Sequence, residues 1–154
     1  METNSTHCIW FIDDDPDDQY LFQHALETLK APPSLRFFFS ADELLEVITE
    51  TELLPDLIVL DINLPGIDGV QALTQLKHTE QFCHIPVIIY TTSQARSDLA
   101  DCYRMGANSV VIKKGSYMEL VHAVESLCSY WFSVVSLYRT DMDEQRNNEQ
   151  SQSL

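Results

Sequence analysis

Positive charge is scarce in this sequence. Nine Lys and Arg stand against 24 Asp and Glu, which gives a formal net charge of −15 over 154 residues. A nucleic-acid-binding domain is disfavoured because phosphate contacts need a basic surface, and a polybasic contact with a membrane surface is disfavoured for the same reason. We therefore expect neither nucleic acid nor membrane as a partner.

Long apolar runs and paired cysteines are missing as well. No apolar run approaches the ~18 residues that span a bilayer, and residues 1–7 are polar without the basic stretch of a secretory signal. The cysteines lie far apart and form no CxxC pair, so buried free thiols are expected rather than a zinc site or a redox dithiol. A length of 154 residues with 45% hydrophobic content predicts one folded cytoplasmic domain. The four cysteines are Cys8, Cys83, Cys102 and Cys128.

Five short apolar runs alternate with segments of helical periodicity. The expected strands are 8–12, 35–39, 57–60, 87–90 and 109–112, and the expected helices are about 16–30, 40–50, 69–80, 97–105 and 116–138. The inner strands are apolar on both faces, as is typical of a parallel sheet covered by helices on both sides. The predicted fold class is α/β, an open, doubly wound, five-stranded parallel sheet.

Several helix ends carry their own signals. Asp15 is predicted to cap the first helix, with Pro16 at its first position. Ser40 and Ser116 each begin a capping box, with a glutamate three residues later. Gly106 is typical of the residue that follows a helix in the left-handed conformation.

Polar residues follow the predicted strands. Strand one is followed by Asp13 and Asp14, strand three by Asp61, strand four by Thr91 and strand five by Lys113. Ligands of an open α/β sheet bind beyond the carboxyl ends of its strands, so these side chains are expected at one edge. The carboxylates repel one another and only oxygen donors are available, which favours a hard cation such as Mg²⁺. A metal-bound carboxylate beside a Lys and a Thr can attack a phosphoryl group.

Four motifs resemble the receiver domain of bacterial two-component response regulators. They are FIDDDPDD at 11–18, LDINLPGIDG at 60–69, YTT at 90–92 and VIK at 111–113. Their order and spacing make the resemblance specific, and it covers roughly residues 8–132. It implies a flavodoxin-like receiver fold with strand order 2-1-3-4-5.

The resemblance also implies a metal site and a phosphoacceptor. By this resemblance, Asp61 stands at the position of the family's phosphoacceptor. Asp14 and Asp61 would bind Mg²⁺ directly, together with the backbone carbonyl of Asn63, and Asp13 would act mainly through water.

Further roles follow from the same resemblance. Thr91 would bond a phosphoryl oxygen, and alternation and spacing favour it over the adjacent Thr92. Lys113 would pair with the acyl phosphate. Asn63 and Ser93 stand where the family tunes the lifetime of the phosphorylated state.

The implied function is a stand-alone receiver domain phosphorylated on Asp61. The donor would be a sensor histidine kinase or a histidine phosphotransfer protein, and the output would be contact with a downstream protein rather than enzymatic turnover. One alternative is a Mg²⁺-dependent phosphohydrolase with an aspartyl nucleophile, disfavoured because Asn63 stands where such an enzyme needs a second acid. The other is a phosphorylation-independent scaffold with a vestigial site.

Two positions depart from the family pattern. Lys114 stands where a proline usually follows the lysine, often after a cis peptide, so the loop is expected to differ because a cis bond before a non-proline costs about 2.5–4 kcal/mol. Val110 stands where many receivers carry a Tyr or Phe switch, which puts the usual output mechanism in doubt.

The expected organisation has three parts. Residues 1–7 form a polar N-terminal segment, residues 8–138 the receiver domain with an extended last helix, and residues 139–154 a disordered acidic and polar tail. Val134, Val135, Leu137 and Tyr138 prolong the apolar pattern past the usual end near Phe132. An exposed extension would mediate self-association as a homodimer or partner docking. The alternative is that it folds back over the domain.

Overall fold

The computed structural model describes residues 6–139 together with Glu149, Gln152 and Ser153. Strands and helices alternate along the chain from the first strand to the last helix. The elements are β1 (Cys8–Ile12), α1 (Pro16–Glu27), β2 (Ser34–Phe38), α2 (Ala41–Glu50), β3 (Leu57–Leu60), α3 (Gly69–His78), β4 (Val87–Thr91), α4 (Arg96–Arg104), β5 (Ser109–Ile112) and α5 (Tyr117–Ser129), followed by a π-helical turn (Tyr130–Val134).

The five strands form one parallel sheet in the order β2-β1-β3-β4-β5. The predicted fold class and strand order are therefore confirmed. Element ends differ from the expected ones by a few residues, which is where sequence patterns are least informative. Of the helices in the described part of the chain, none is long and apolar enough to cross a bilayer.

Each face of the sheet is covered by its own apolar layer. On one face, Phe22 of α1 and Val124 of α5 pack with Phe11. On the other, Leu44 of α2 and Leu73 of α3 pack with strand residues, among them the buried Trp10. Three strands (β1, β3 and β4) are buried almost throughout, because helices cover both of their faces.

The predicted helix signals act as expected. The side chain of Asp15 accepts the backbone N–H of Asp17 at 2.9 Å. The hydroxyls of Ser40 and Ser116 accept backbone N–H groups at the starts of α2 and α5. Gly106 has a φ of 105°, a conformation that favours glycine after a helix.

The prediction of a last helix that extends to Tyr138 is wrong. The α-helix ends at Ser129, a π-helical turn ends at Val134, and Val135 is extended with φ −81° and ψ 137°. The chain then runs along the sheet edge at the amino ends of the strands, where Leu137 and Tyr138 face residues of the loop before β4. After Val134 the segment turns back onto the domain, in line with the alternative, but Val134 and Tyr138 remain 70% and 69% exposed. Self-association or partner docking through this segment stays a prediction.

Three contacts hold this C-terminal segment (residues 130–139) on the domain. The ring of Phe132 stacks on His7 with 4.3 Å between centroids, and Tyr138 meets His84 edge-on at 5.0 Å. Arg139 forms an ion pair with Asp56 at 2.9 Å. Phe132 makes its contact from within the π-helical turn, whereas Tyr138 and Arg139 make theirs from the extended chain beyond it.

The tail and the thiols also differ in part from expectation. Arg139, the expected first tail residue, is ion-paired, and the N–H of Ser153 donates to the Glu149 carbonyl at 3.1 Å. Apart from Gln152, the other tail residues and residues 1–5 lie outside the described ones, and so does the prediction made for them. Cys102 and Cys128 are buried as expected and Cys8 is half-buried, but Cys83 is exposed.

Candidate functional site

The register of the sheet brings the predicted site residues to one edge. Ile12 pairs with Leu60, so Asp13 and Asp61 emerge side by side. Thr91 at the end of β4 pairs with Ile112, which places Lys113 one residue beyond it. The site is therefore built from residues that are far apart in sequence and adjacent only because the strands are parallel and in this order.

Lys113 lies at the centre of the carboxylates. Its Nζ is 2.6 Å from Asp13 Oδ2, 2.8 Å from Asp18 Oδ2 and 2.9 Å from Asp61 Oδ2. The Lys113 side chain is 8% exposed, and the side chains of Asp13 and Asp61 are 1% and 8% exposed. The ammonium group thus supplies the positive charge that these buried carboxylates need.

Burial and pairing shift the pKa values within the site. Burial raises the pKa of Asp13 to about 6, although hydrogen bonds from Lys113 and the Asp15 backbone act in the opposite direction. Burial by itself lowers the pKa of Lys113, but hydrogen bonds to the three aspartates outweigh it and hold that pKa above its ordinary value. Lys113 is therefore cationic at neutral pH, and Asp13 holds a proton more tightly than an ordinary aspartate.

Three carboxylates of the site are close enough to share one cation. One carboxylate oxygen from each of Asp13, Asp14 and Asp61 lies within 4.8 Å of the other two. Asp14 is exposed and makes no ion pair with Lys113, so its oxygens face the solvent side of the group. Hard oxygen ligands at this spacing fit Mg²⁺ or a similar divalent ion. The predicted contact of the Asn63 carbonyl stays a prediction.

Asn63 and Ser93 both contact the hydroxyl of Thr91. The Asn63 amide donates to Thr91 Oγ1 at 3.2 Å, and the backbone N–H of Ser93 donates to the same atom at 3.2 Å. Asn63 also donates its backbone N–H to Asp61 Oδ1 at 3.0 Å. Thr91 is buried whereas Thr92 is exposed, which supports the choice of Thr91.

Reasoning from the sequence missed three residues that build the site, which are Asp18, Gln19 and Gly69. Asp18 was not among the predicted site residues, yet its carboxylate binds Lys113. Gln19 is buried and donates to the carbonyls of Asp13 and Phe38, which ties the ends of β1 and β2 together. Asp18 and Gln19 lie four and three residues before the buried Phe22, so helical periodicity places them near the same face of α1. This spacing was the signal that the sequence offered.

Gly69 was also not among the predicted site residues, but its lack of a side chain permits a close approach to the backbone of Asp61. A Cβ at Gly69 would lie 2.3 Å from the carbonyl oxygen of Asp61 and 2.4 Å from the Cα of Ile62. Both neighbours are backbone atoms, so the clash could be relieved only by moving the main chain. Any larger residue at Gly69 would therefore displace the loop that carries Asp61.

The two departures from the family pattern have structural counterparts. The peptide bond between Lys113 and Lys114 is trans. At Val110, the backbone N–H donates to the hydroxyl of Tyr103, which reaches across from α4 at 3.2 Å. An aromatic ring is thus present beside β5, although it comes from the neighbouring helix.

Comparison with known proteins identifies the family. The model of the response regulator receiver domain matches residues 9–125. The chain belongs to this family. The receiver domain is a module of two-component signalling, and the match spans all the strand-end residues described above.

The receiver resembles curated proteins over different fractions of their length. It is 30% identical to the response regulator Rcp1 of Synechocystis over 141 residues, which is 88% of this chain and 96% of Rcp1. It is 40% identical to a probable methanogenesis regulatory protein, FilR2, of Methanothrix harundinacea over 78 residues, but the match spans only 50% of that protein.

Solved receiver structures share the fold closely. The phosphorylated cyanobacterial phytochrome response regulator RcpA matches with a TM-score of 0.81 and 27% identity, over 88% of this chain and all of that one. The Mn²⁺-bound form of Rcp1 matches with a TM-score of 0.79 and 26% identity, over 86% of this chain and 99% of that one.

Proposed function

We propose that this receiver accepts a phosphoryl group on Asp61 from a phosphohistidine in a Mg²⁺-dependent reaction. The observation that carries the proposal is the position of the Asp61 carboxylate. Its Oδ2 contacts Lys113 Nζ at 2.9 Å, and one Asp61 oxygen lies within 4.8 Å of an oxygen from each of two further acids. The phosphorylated form of the similar RcpA supports the same chemistry.

The reaction is a displacement at phosphorus. An Asp61 oxygen forms the new P–O bond while the P–N bond to the donor histidine breaks, and the imidazole nitrogen takes the electron pair. The Asn63 backbone N–H holds the other Asp61 oxygen at 3.0 Å, which fixes the orientation of the carboxylate. Fixed donors of this kind stabilise developing charge without reorganisation at the moment of reaction.

Asp14 and Asp61 are the proposed direct ligands of Mg²⁺, with the Asn63 carbonyl, and Asp13 acts mainly through water. A bound divalent cation would neutralise charge on the phosphoryl oxygens. The three acids lie close together and offer only oxygen, which fits this ion, and the Mn²⁺-bound form of the similar Rcp1 supports divalent binding.

Lys113 and Thr91 are proposed to bind the phosphoryl oxygens. Lys113 is already bonded to Asp61, so its ammonium lies where negative charge would accumulate. The Thr91 hydroxyl accepts two hydrogen bonds from neighbours and keeps its own proton for a phosphoryl oxygen.

The proposed role is signalling rather than enzymatic turnover, in the cytoplasm. The phosphodonor would be a sensor histidine kinase or a histidine phosphotransfer protein, and a downstream protein would read the phosphorylated state. The phosphohydrolase alternative is disfavoured because the Asn63 amide donates to Thr91 and has no proton suited to a leaving group. The intact set of contacts disfavours a vestigial site.

Incubation with acetyl phosphate and Mg²⁺ followed by intact-mass measurement tests the proposal. We expect one adduct of about 80 Da that hydroxylamine removes, as for an acyl phosphate. Asp61→Asn should abolish it because an amide is a poor nucleophile, and Lys113→Ala should impair it while retaining metal binding. Asp68→Asn, at the exposed cap of α3, is the matched control and should be phosphorylated normally. An adduct on Ser, Thr or His would refute the mechanism.

A further inference from the structure

Asp18 is the one partner of Lys113 that lies outside the group of acids close enough to share a cation. Its Oδ2 is 2.8 Å from Lys113 Nζ, closer than the 2.9 Å contact of Asp61. The group within 4.8 Å is made of Asp13, Asp14 and Asp61. The position of Asp18 therefore calls for an explanation other than metal binding.

Helix capping does not explain Asp18 either. The backbone N–H at the start of α1 is accepted by the side chain of Asp15, which is the N-cap residue. Asp18 lies in the first turn of α1, three residues after Asp15, and its carboxylate reaches across to the loop after β5 instead of to its own helix. Its defined interaction is the one with the ammonium group of Lys113.

The hydrogen bonds of Lys113 are fully used in this arrangement. An ammonium group has three protons, and three carboxylates accept them. A phosphoryl group on Asp61 takes over the Lys113 proton that Asp61 now accepts, and it gains a second Lys113 proton only if Asp13 or Asp18 releases one. We propose that Asp18 is a positioning residue that competes with the phosphoryl group for Lys113 and thereby lowers the phosphorylated fraction.

The exposed fractions of the side chains indicate that Lys113 releases its hydrogen bond to Asp18 rather than the one to Asp13. The Asp18 side chain is 32% exposed, whereas that of Asp13 is 1% exposed. A released Asp18 carboxylate is hydrated by solvent, while a released Asp13 would be a buried carboxylate without a counter-charge. The Asp61 bond is replaced as the phosphoryl group forms on that carboxylate.

This inference rests on the proposed phosphorylation of Asp61, and its test uses a phosphoryl mimic. Beryllium fluoride, which binds an aspartate carboxylate as a phosphoryl group does, is titrated into the full chain with saturating Mg²⁺. Asp18→Asn keeps the size of the side chain and removes its charge. We expect it to bind beryllium fluoride about 1.5- to fivefold more tightly than the unaltered chain, as for loss of a partly exposed ion pair. Asp18→Ala should shift the affinity in the same direction.

Asp17→Asn is the matched control, since it removes the same charge from the same exposed turn. It should change the affinity much less than Asp18→Asn does. Equal effects of the two variants would overturn the proposal, because Asp18 would then act only through the general charge of the turn. Weaker binding by Asp18→Asn would also overturn it, because Asp18 would then help Lys113 reach the phosphoryl group.

A double-variant comparison shows whether Asp18 acts through Lys113. In a Lys113→Ala background, Asp18→Asn should lose its extra effect on beryllium fluoride affinity, and an effect that persists would overturn the proposal. Mg²⁺ affinity measured by Trp10 fluorescence should respond alike to the Asp17 and Asp18 changes. If the unaltered chain binds no beryllium fluoride and takes no phosphoryl group on Asp61, the proposed function itself fails.

Discussion

Replacing Lys113 by methionine should destabilise the metal-free protein strongly at neutral pH. Methionine keeps much of the apolar stem but leaves Asp13 and Asp61, whose side chains are 1% and 8% exposed, without their shared counter-charge. Loss of one partner of a buried ion pair is destabilising by about 3–5 kcal/mol. For a protein of this size, that corresponds to a fall in Tm of roughly 6–20 °C.

The expected loss of stability comes from the three ion pairs of Lys113, which differ in energy. At an effective dielectric constant of about 20, a contact at the 2.8 Å of Asp18 has a Coulomb energy of roughly 6 kcal/mol before desolvation is subtracted. Desolvation offsets most of that attraction in the native protein. The Asp18 contact adds less than the other two because its carboxylate is 32% exposed.

Urea unfolding of Lys113→Met in EDTA and in Mg²⁺ measures this loss of stability. Lys114→Met is the matched control, because it removes the same charge from the exposed neighbour. Mg²⁺ should restore part of the stability, since a divalent cation supplies positive charge to the same oxygens. This prediction is wrong if the free energy of unfolding of Lys113→Met in EDTA lies within about 1 kcal/mol of that of the unaltered protein. The ion pairs with Lys113 would then not be the main compensation for burying these acids.

Two substitutions and one titration test other parts of the structure. Asp14→Asn should raise Tm in EDTA and weaken Mg²⁺ binding, because Asp14 adds repulsion without an ion pair to Lys113; a clear fall in Tm would contradict this. The Asp13 carboxyl should titrate in NMR with a pKa of about 6 in the metal-free protein. Because that pKa is raised, its contribution to stability is present below the unfolded pKa of about 4 and lost as pH rises through 6. Asp56→Asn should lower the free energy of unfolding by about 1–3 kcal/mol, since it weakens the half-buried Arg139 pair and the bond from the Cys8 N–H; Asp101→Asn, in an exposed pair, should change it little.

Most of the strand-end site was predictable from the sequence because it depends on local signals. Short apolar runs define the strands, and in a parallel sheet their carboxyl ends share one edge. Asp13, Asp61, Thr91 and Lys113 follow such runs directly, so their convergence follows from the strand order alone. Helix starts such as Asp15 and Ser116 were equally predictable, since each cap is a bond within one turn.

The last helix shows where local periodicity fails. Apolar residues continue at helical spacing through Tyr138, and this pattern favours a longer helix. The tertiary structure offers the same segment contacts with His84 and Asp56 at the other edge of the sheet. Such contacts involve residues that are 54 and 83 positions away in sequence. Periodicity within the segment contains no information about them.

The sequence by itself determined the fold class, the strand order through the family resemblance, and the residues that face the site. Only the tertiary structure decided which carboxylates share the single lysine and how the chain ends. Asp17 and Asp18 are both acids in the first turn of α1, and composition does not distinguish them. The packing of α1 on the sheet, through Phe22 one turn later, directs Asp18 toward Lys113, while Asp17 is exposed. Helix orientation against a partner thus selects between chemically identical neighbours.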